Sequence, residues 1–277
     1  MADNRPIGAF DSGLGGLSVV KELVKLLPNE NIVYFGDTGR VPYGTKSIET
    51  VNRYAKDDEA FLLSKNVKMV IAACGTVSSV AVSTGKLLPV PFVEVVTPAA
   101  LEAAKKTVSK KIGVLGTNAT VNSGSFRNAI NAVLPSASIT SVACPLFVSL
   151  VESGWIDRND EVTVLTAKRY LKPLIDAGVD TVILGCTHFP VISEIISDIM
   201  GKDVTLINTG KCAAMRVKEL LENEGLLSDG KNTGRTEYYV SDRSENFSDI
   251  ASVLLGHDIK NDVHFADASG YGEKNAY

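Results

Sequence analysis

The sequence predicts an α/β protein made of two pseudo-symmetric, doubly wound domains whose parallel sheets face an interdomain cleft. Three observations carry that expectation. Short β-branched runs alternate with longer amphipathic stretches, the pattern of strands joined by crossover helices. Two strand-plus-turn segments recur later in the chain at nearly constant spacing. Small, hydroxyl-bearing and thiol-bearing residues collect just past the strand ends, where open parallel sheets bind their ligands.

Taken in order, a strand is expected at residues 6–10, followed by a glycine turn and an amphipathic helix over 17–27 with Val20, Val24 and Leu27 on one face. Further strands are expected at 31–35, 69–73, 92–96, 111–115, 138–143, 181–184 and 204–207. The last 67 residues hold a helical stripe (Ala213, Ala214, Val217, Leu220, Leu221), a strand at 237–240, a helix at 247–255 ended by Gly256, and a short strand at 263–266. This tail is too short for a comfortable domain of its own and is expected to return to the first one.

The division into domains follows from the repeat. Ile7-Gly8-Ala9-Phe10-Asp11-Ser12 aligns with Ile112-Gly113-Val114-Leu115-Gly116-Thr117 at an offset of 105, and Val70-Ile71-Ala72-Ala73-Cys74 aligns with Val182-Ile183-Leu184-Gly185-Cys186 at an offset of 112. The first pair puts a small hydroxyl residue past the strand end, the second a cysteine. Loop-length differences between two copies of one unit account for the drift; chance similarity of common α/β patterns is the competing account. The expected domains, each Rossmann-like, are residues 1–97 with 211–277, and residues 98–210.

With 277 residues, 45% apolar and 22% charged, the chain can bury a substantial core and lies far from disordered compositions. Its formal net charge of −4 comes without long blocks of one sign, so nucleic acid and anionic membranes are not expected partners and a small solute is. Neither a signal-peptide apolar region nor a run of about 18 apolar residues is found, and a cytoplasmic protein is expected. Cys74, Cys144, Cys186 and Cys212 stand 70, 42 and 26 residues apart, which fits no zinc ribbon and reads as free thiols in a reducing compartment. No phosphate-cradling P-loop and no cysteine or histidine ligand set is found, so no cofactor and no metal is expected.

The unusual clusters all fall at strand ends. Asp11-Ser12 precedes Gly13-Leu14-Gly15-Gly16; Gly36-Asp37-Thr38 precedes Arg40-Val41-Pro42-Tyr43-Gly44; Cys74-Gly75-Thr76 and Gly185-Cys186-Thr187-His188-Phe189-Pro190 follow the paired strands. The glycine run is not G-x-G-x-x-G, which speaks against a dinucleotide. A tight turn explains it, although its amides at a helix start also suit a carboxylate. One cysteine at a strand end is ordinarily an inert buried thiol. Two at equivalent positions of a repeat, each followed closely by threonine, put one thiol on each wall of a cleft.

One thiol on each side suits the inversion of a carbon stereocentre, which removes a proton from one face and returns one to the other. A free thiol has a pKa of about 8.5, so each wants a proton partner near neutral pH. Asp11 could serve Cys74, and His188, two residues from Cys186, could serve that thiol; a merely hydrogen-bonded turn histidine is the rival account of His188.

Together with Gly39 in the second cluster, Ile112 to Thr117 and Cys144-Pro145-Leu146-Phe147, these segments resemble the glutamate racemase family of the cofactor-independent aspartate/glutamate racemase superfamily, over nearly the whole chain. The resemblance implies interconversion of L- and D-glutamate without pyridoxal phosphate or metal, in a homodimer that supplies D-glutamate for peptidoglycan. It puts the catalytic cysteines at Cys74 and Cys186 and the assisting groups at Asp11 and His188. It puts substrate contacts at Asp11, Ser12, Tyr43, Gly44, Gly75, Thr76, Thr117, Thr187 and His188. Glu152 matches a glutamate implicated near the second cysteine; an exposed helix-end carboxylate is the rival account.

The chain departs from the family pattern at Gly75, where asparagine is usual, and at Asn208, where aspartate is common. A lost amide removes one or two hydrogen bonds to a charged head group, worth roughly 1.5 to 3 kcal/mol each, or about ten- to a hundredfold. Gly75→Asn is therefore expected to improve glutamate turnover, except where a positive φ at residue 75 demands glycine. An aspartate racemase, or a racemase-like binding or regulatory protein with little turnover, are the alternatives that this departure leaves open.

Overall fold

The computed structural model describes residues 2–242 and 247–274, and ten strands among them form two sheets. In chain order these are β1 (Ile7–Asp11), β2 (Ile32–Gly36), β3 (Met69–Ala72), β4 (Phe92–Glu94), β5 (Lys111–Gly116), β6 (Ser138–Ala143), β7 (Thr181–Leu184), β8 (Thr205–Asn208), β9 (Thr236–Val240) and β10 (Val263–Phe265). One sheet has the order β10-β9-β2-β1-β3-β4 and the other β6-β5-β7-β8. Every neighbouring pair is parallel.

The run β2-β1-β3-β4 and the run β6-β5-β7-β8 have the same order, so the repeat seen in sequence is also a repeat of topology. The tail extends only the first sheet: β9 pairs with β2, Tyr34 opposite Tyr238, and β10 pairs with β9. Strands β1, β2, β3 and β7 are buried at every position, as sheets covered on both faces require. Alternation divides the first core in two. Ile7, Ala9, Ile32 and Tyr34 pack with Leu17, Val20, Leu23 and Val217 on one face. Phe10, Val33 and Phe35 pack with Val51, Phe61 and Cys74 on the other.

Two expected elements differ in detail. In the helix Leu17–Leu26 the buried face is Leu17, Val19, Val20 and Leu23, and Val24 is 40% exposed, because four residues overshoot one helical turn and carry it to the edge of the stripe. Strand β4 stops at Glu94 because its carboxylate accepts the amides of Val96 at 2.5 Å and Thr97 at 2.9 Å and so begins the helix Val96–Lys106. The positions where the domains were expected to join, after residues 97 and 210, fall in the first turns of the helices Val96–Lys106 and Thr209–Glu224.

Candidate active site

The carboxyl ends of β1, β3, β5 and β7 meet, and side chains bond across the meeting. Thr187 Oγ1 donates to Asp11 Oδ1 at 3.4 Å, Thr76 Oγ1 and Thr117 Oγ1 are 3.1 Å apart, and Ser125 Oγ donates to Ser79 Oγ at 2.9 Å. The site between the walls is buried: Asp11 is 0%, Cys74 4% and Cys186 6% exposed.

On the first wall, Asp11 organises the glycine turn. Its Oδ2 accepts the amides of Gly13 at 3.1 Å and Gly16 at 3.0 Å, and the Tyr34 hydroxyl secures the turn from behind by donating to the Gly13 carbonyl at 2.5 Å. Cys74 Sγ donates to Ser12 Oγ at 3.9 Å and takes backbone hydrogen bonds from Val77 and Ser12, while Asp11 acts on that sulfur through its charge. Burial pushes the Cys74 thiol far up, the Asp11 carboxylate adds to this, and Cys186 pushes more weakly in the same direction. Cys74 therefore rests as a thiol.

On the second wall, Cys186 follows β7 and lies 3.6 Å from Nδ1 of His188, whose Nε2 lies 3.1 Å from Glu152 Oε1. Burial opposes charge on the imidazole, but the hydrogen bonds to Cys186 and Glu152 outweigh it and hold the pKa up at about 10. His188 is thus a charged link between the sulfur and a carboxylate that is one-third exposed. Cys144, at the end of β6, is buried in the same core as Cys186, and its thiol is pushed up by burial and then by Cys186. Cys212 is pushed up to about 11, chiefly by burial.

Tyr43 and Gly44 reach the site from the turn Tyr43–Thr45, but the Tyr43 hydroxyl is occupied elsewhere. It bonds to Asp37 and, at 2.9 Å, to Asp58 Oδ2. Burial, and then the Asp37 charge, push Asp58 well above the usual carboxylate range. Arg40 completes the cluster, donating to Asp37 at 2.5 Å, Asp57 at 2.8 Å and Asp58 at 2.9 Å. What Tyr43 and Gly44 have left to offer a ligand is main chain.

The sequence reading missed this cluster. Asp37 and Arg40 belong to the strand-end segment of residues 36–44, but Asp57-Asp58-Glu59 in the middle of the helix Ile48–Ser64 looks like a solvated face, and all three are buried.

Gly75 begins the helix Gly75–Val80 immediately after Cys74, and its φ is not positive. A β-carbon there would lie 2.2 Å from the carbonyl oxygen of Gly185 on the opposite wall. An asparagine at this position therefore fits only if the backbone of the second wall shifts. Asn208 caps the helix Thr209–Glu224, its side chain accepting from the Lys211 amide at 3.1 Å.

Among the described residues no group of three or more His, Cys, Asp or Glu side chains could hold a metal ion, and no helix is long and apolar enough to cross a membrane.

The chain is 43% identical to a glutamate racemase of Geobacter metallireducens over 253 residues, which is 91% of this chain and 93% of the relative. It is similar in structure to the glutamate racemase of Francisella tularensis solved in complex with D-glutamate, with a TM-score of 0.90, 35% identity, and coverage of 97% and 100% of the two chains. The Thermus thermophilus glutamate racemase in complex with β-chloro-D-alanine gives a TM-score of 0.84 at 40% identity, covering 95% and 97%. The Asp/Glu/hydantoin racemase model matches residues 11–217, and with that match and these relatives the chain belongs to the Asp/Glu/hydantoin racemase family.

Proposed function

We propose that this protein is a cofactor-independent glutamate racemase working through two opposed cysteines, and that it supplies D-glutamate for peptidoglycan. The observation that carries the reading is the equivalence of Cys74 after β3 and Cys186 after β7, the first hydrogen-bonded to Ser12 and the second to His188. One sulfur, as thiolate, takes the α-proton, and the electron pair of the broken Cα–H bond is delocalised into the carboxylate. The opposite thiol then gives its proton to the other face. The second wall re-equilibrates its proton through His188 and Glu152, and Asp11 acts at Cys74 through its charge. Ser12, Thr76, Thr117, Thr187 and the main chain at Tyr43 and Gly44 hold the substrate's ammonium and carboxylates.

Residues 1–97 with 211–277 form one lobe in this reading and 98–210 the other, joined through the two helix starts described above. The similarity to glutamate racemases at about 40% identity over nine-tenths of the chain supports glutamate over aspartate. A cytoplasmic homodimer accompanies the reading, and light scattering on the eluted protein measures that state.

The test is to incubate the protein with L-glutamate and, separately, L-aspartate in D₂O without added cofactor. Loss of the α-proton signal and of optical rotation with glutamate is the expected result. No exchange with glutamate, or faster exchange with aspartate, overturns it.

A further inference from the structure

We propose that Arg40 is a positioning residue for the substrate: it holds the turn Tyr43–Thr45 in place and takes its own place from the tail that follows the two repeats. The proposal rests on the reading of the site as one that binds glutamate, with the main chain of Tyr43 and Gly44 among its contacts.

The turn lies against the second wall, since a β-carbon on Gly44 would stand 2.8 Å from Thr117 Cβ. Its own hydrogen bonds, Lys46 amide to Tyr43 O at 3.0 Å and Thr45 Oγ1 to Pro42 O at 3.2 Å, only close it on itself. Arg40 ties it to the rest of the lobe. The guanidinium spends all three nitrogens: Nε on Asp37 Oδ2 at 2.5 Å, Nη1 on Asp57 Oδ2 at 2.8 Å and Nη2 on Asp58 Oδ1 at 2.9 Å. One planar group thus joins the end of β2 to the middle of the helix Ile48–Ser64. Its position reaches Tyr43 by two routes. The Tyr43 hydroxyl bonds to the same Asp37 and Asp58, and the guanidinium lies 4.2 Å from the centre of the Tyr54 ring, which packs on the Tyr43 ring at 5.4 Å.

Two of the three carboxylates are themselves held by the tail. Asp37 Oδ1 accepts from Ser241 Oγ at 2.7 Å, just past β9, and Asp57 Oδ1 accepts the amide of Gly272 at 3.0 Å, in the short helix Tyr271–Lys274. Ser241 Oγ also accepts the Gly39 amide at 2.9 Å, while Thr38 Oγ1 donates to Asp242 O at 2.7 Å and accepts the Asp242 amide at 2.9 Å. Every residue from Thr38 to Arg40 is therefore tied to the tail directly or through one carboxylate. Charge-assisted hydrogen bonds screened from water are strong and directional, and lysine cannot reproduce the guanidinium fork. The tail, which extends only the first sheet, thus braces the substrate turn through Arg40.

The test uses Arg40→Lys, which keeps the charge and replaces three spread nitrogens by one. Its kcat and KM for both enantiomers, its Kd for D-glutamate by calorimetry and its melting temperature are compared with those of the native protein. A folded variant is expected with KM and Kd raised about fivefold or more and kcat changed less than KM, because the displaced group binds substrate and takes no part in proton transfer. An unchanged KM overturns the proposal, and so does a kcat that falls more than KM rises. Should Arg40→Lys not fold, Gly272→Val displaces the tail with every charge in place, since a β-carbon there would stand 3.0 Å from the backbone carbon of Lys56. It is expected to raise KM about threefold or more. An unchanged KM there overturns the proposal. A native protein that binds D-glutamate without turning it over overturns the proposed racemase instead, and the Kd comparison then decides the positioning alone. A native protein that does not bind D-glutamate overturns both.

Discussion

Nε2 of His188 lies 3.1 Å from Oε1 of Glu152, 36 residues earlier in the chain, and the helix Pro145–Glu152 ends so that this carboxylate keeps one side in water. The pair connects the buried Cys186 sulfur to solvent through a single imidazole. Glu152→Gln keeps the shape and removes the charge that helps hold the imidazole protonated. A fall in kcat of about ten- to a hundredfold is expected, with KM little changed. The alkaline limb of the kcat profile moves to lower pH, because His188 then loses its proton earlier. An unshifted profile would mean that Glu152 is an ordinary helix-end carboxylate.

His188 also links stability to pH. Its pKa is about 10 in the folded protein, against roughly 6.5 for an unperturbed histidine, so the native state binds the proton more tightly than the unfolded chain does. This contribution is complete below about pH 6.5 and is lost as pH rises through about 10. The difference in melting temperature between the native protein and His188→Gln is therefore largest at pH 6 and shrinks toward pH 10. A difference that stays constant over that range refutes the assignment.

Cys74→Ser and Cys186→Ser replace sulfur by a far less acidic hydroxyl in a near-isosteric side chain. Each is expected to lose racemization by at least a thousandfold, on the scale of removing a catalytic acid or base, while far-ultraviolet circular dichroism is retained. Full racemization by either single variant sinks the two-thiol mechanism.

Tyr43→Phe separates a structural from a substrate-binding hydroxyl. Removing it leaves the buried Asp37 and Asp58 with one donor fewer, a cost of about 1 to 3 kcal/mol in stability. The KM for glutamate is expected to stay within about threefold, as the cost of a lost hydrogen bond to a charged ligand would exceed that. A large rise in KM with unchanged melting would show the phenol in contact with substrate.

Dialysed protein treated with EDTA and hydroxylamine is expected to keep its turnover of glutamate, since proton transfer between thiols needs neither a Lewis acid nor an imine-forming aldehyde. Activity that returns only on adding metal or pyridoxal phosphate overturns the mechanism.

Much of the fold was legible because its signals are local. The short apolar run at residues 6–10, the turn at Gly13 to Gly16 and the recurrence of Cys74 as Cys186 are properties of contiguous residues, and each lies within about two positions of an element end. The repeat placed both cysteines at equivalent strand ends before any strand had a neighbour.

Contacts distant in sequence were decided only by packing. A linear pattern records which face a residue presents but not which residue meets it. Nothing near Asp57-Asp58-Glu59 announces that Arg40 and Thr84 will be there to receive buried carboxylates, with Thr84 donating to Glu59 at 2.7 Å. Nothing near Asp11 announces Thr187, which comes from the other sheet. Gly75 is the clearest case. By itself the sequence presents a missing side chain there, and its apparent meaning is a lost bond. The Gly185 carbonyl, 110 residues away in the chain, fills that volume only because the two sheets pack end to end, and steric exclusion between two backbones has no counterpart in the local pattern of either.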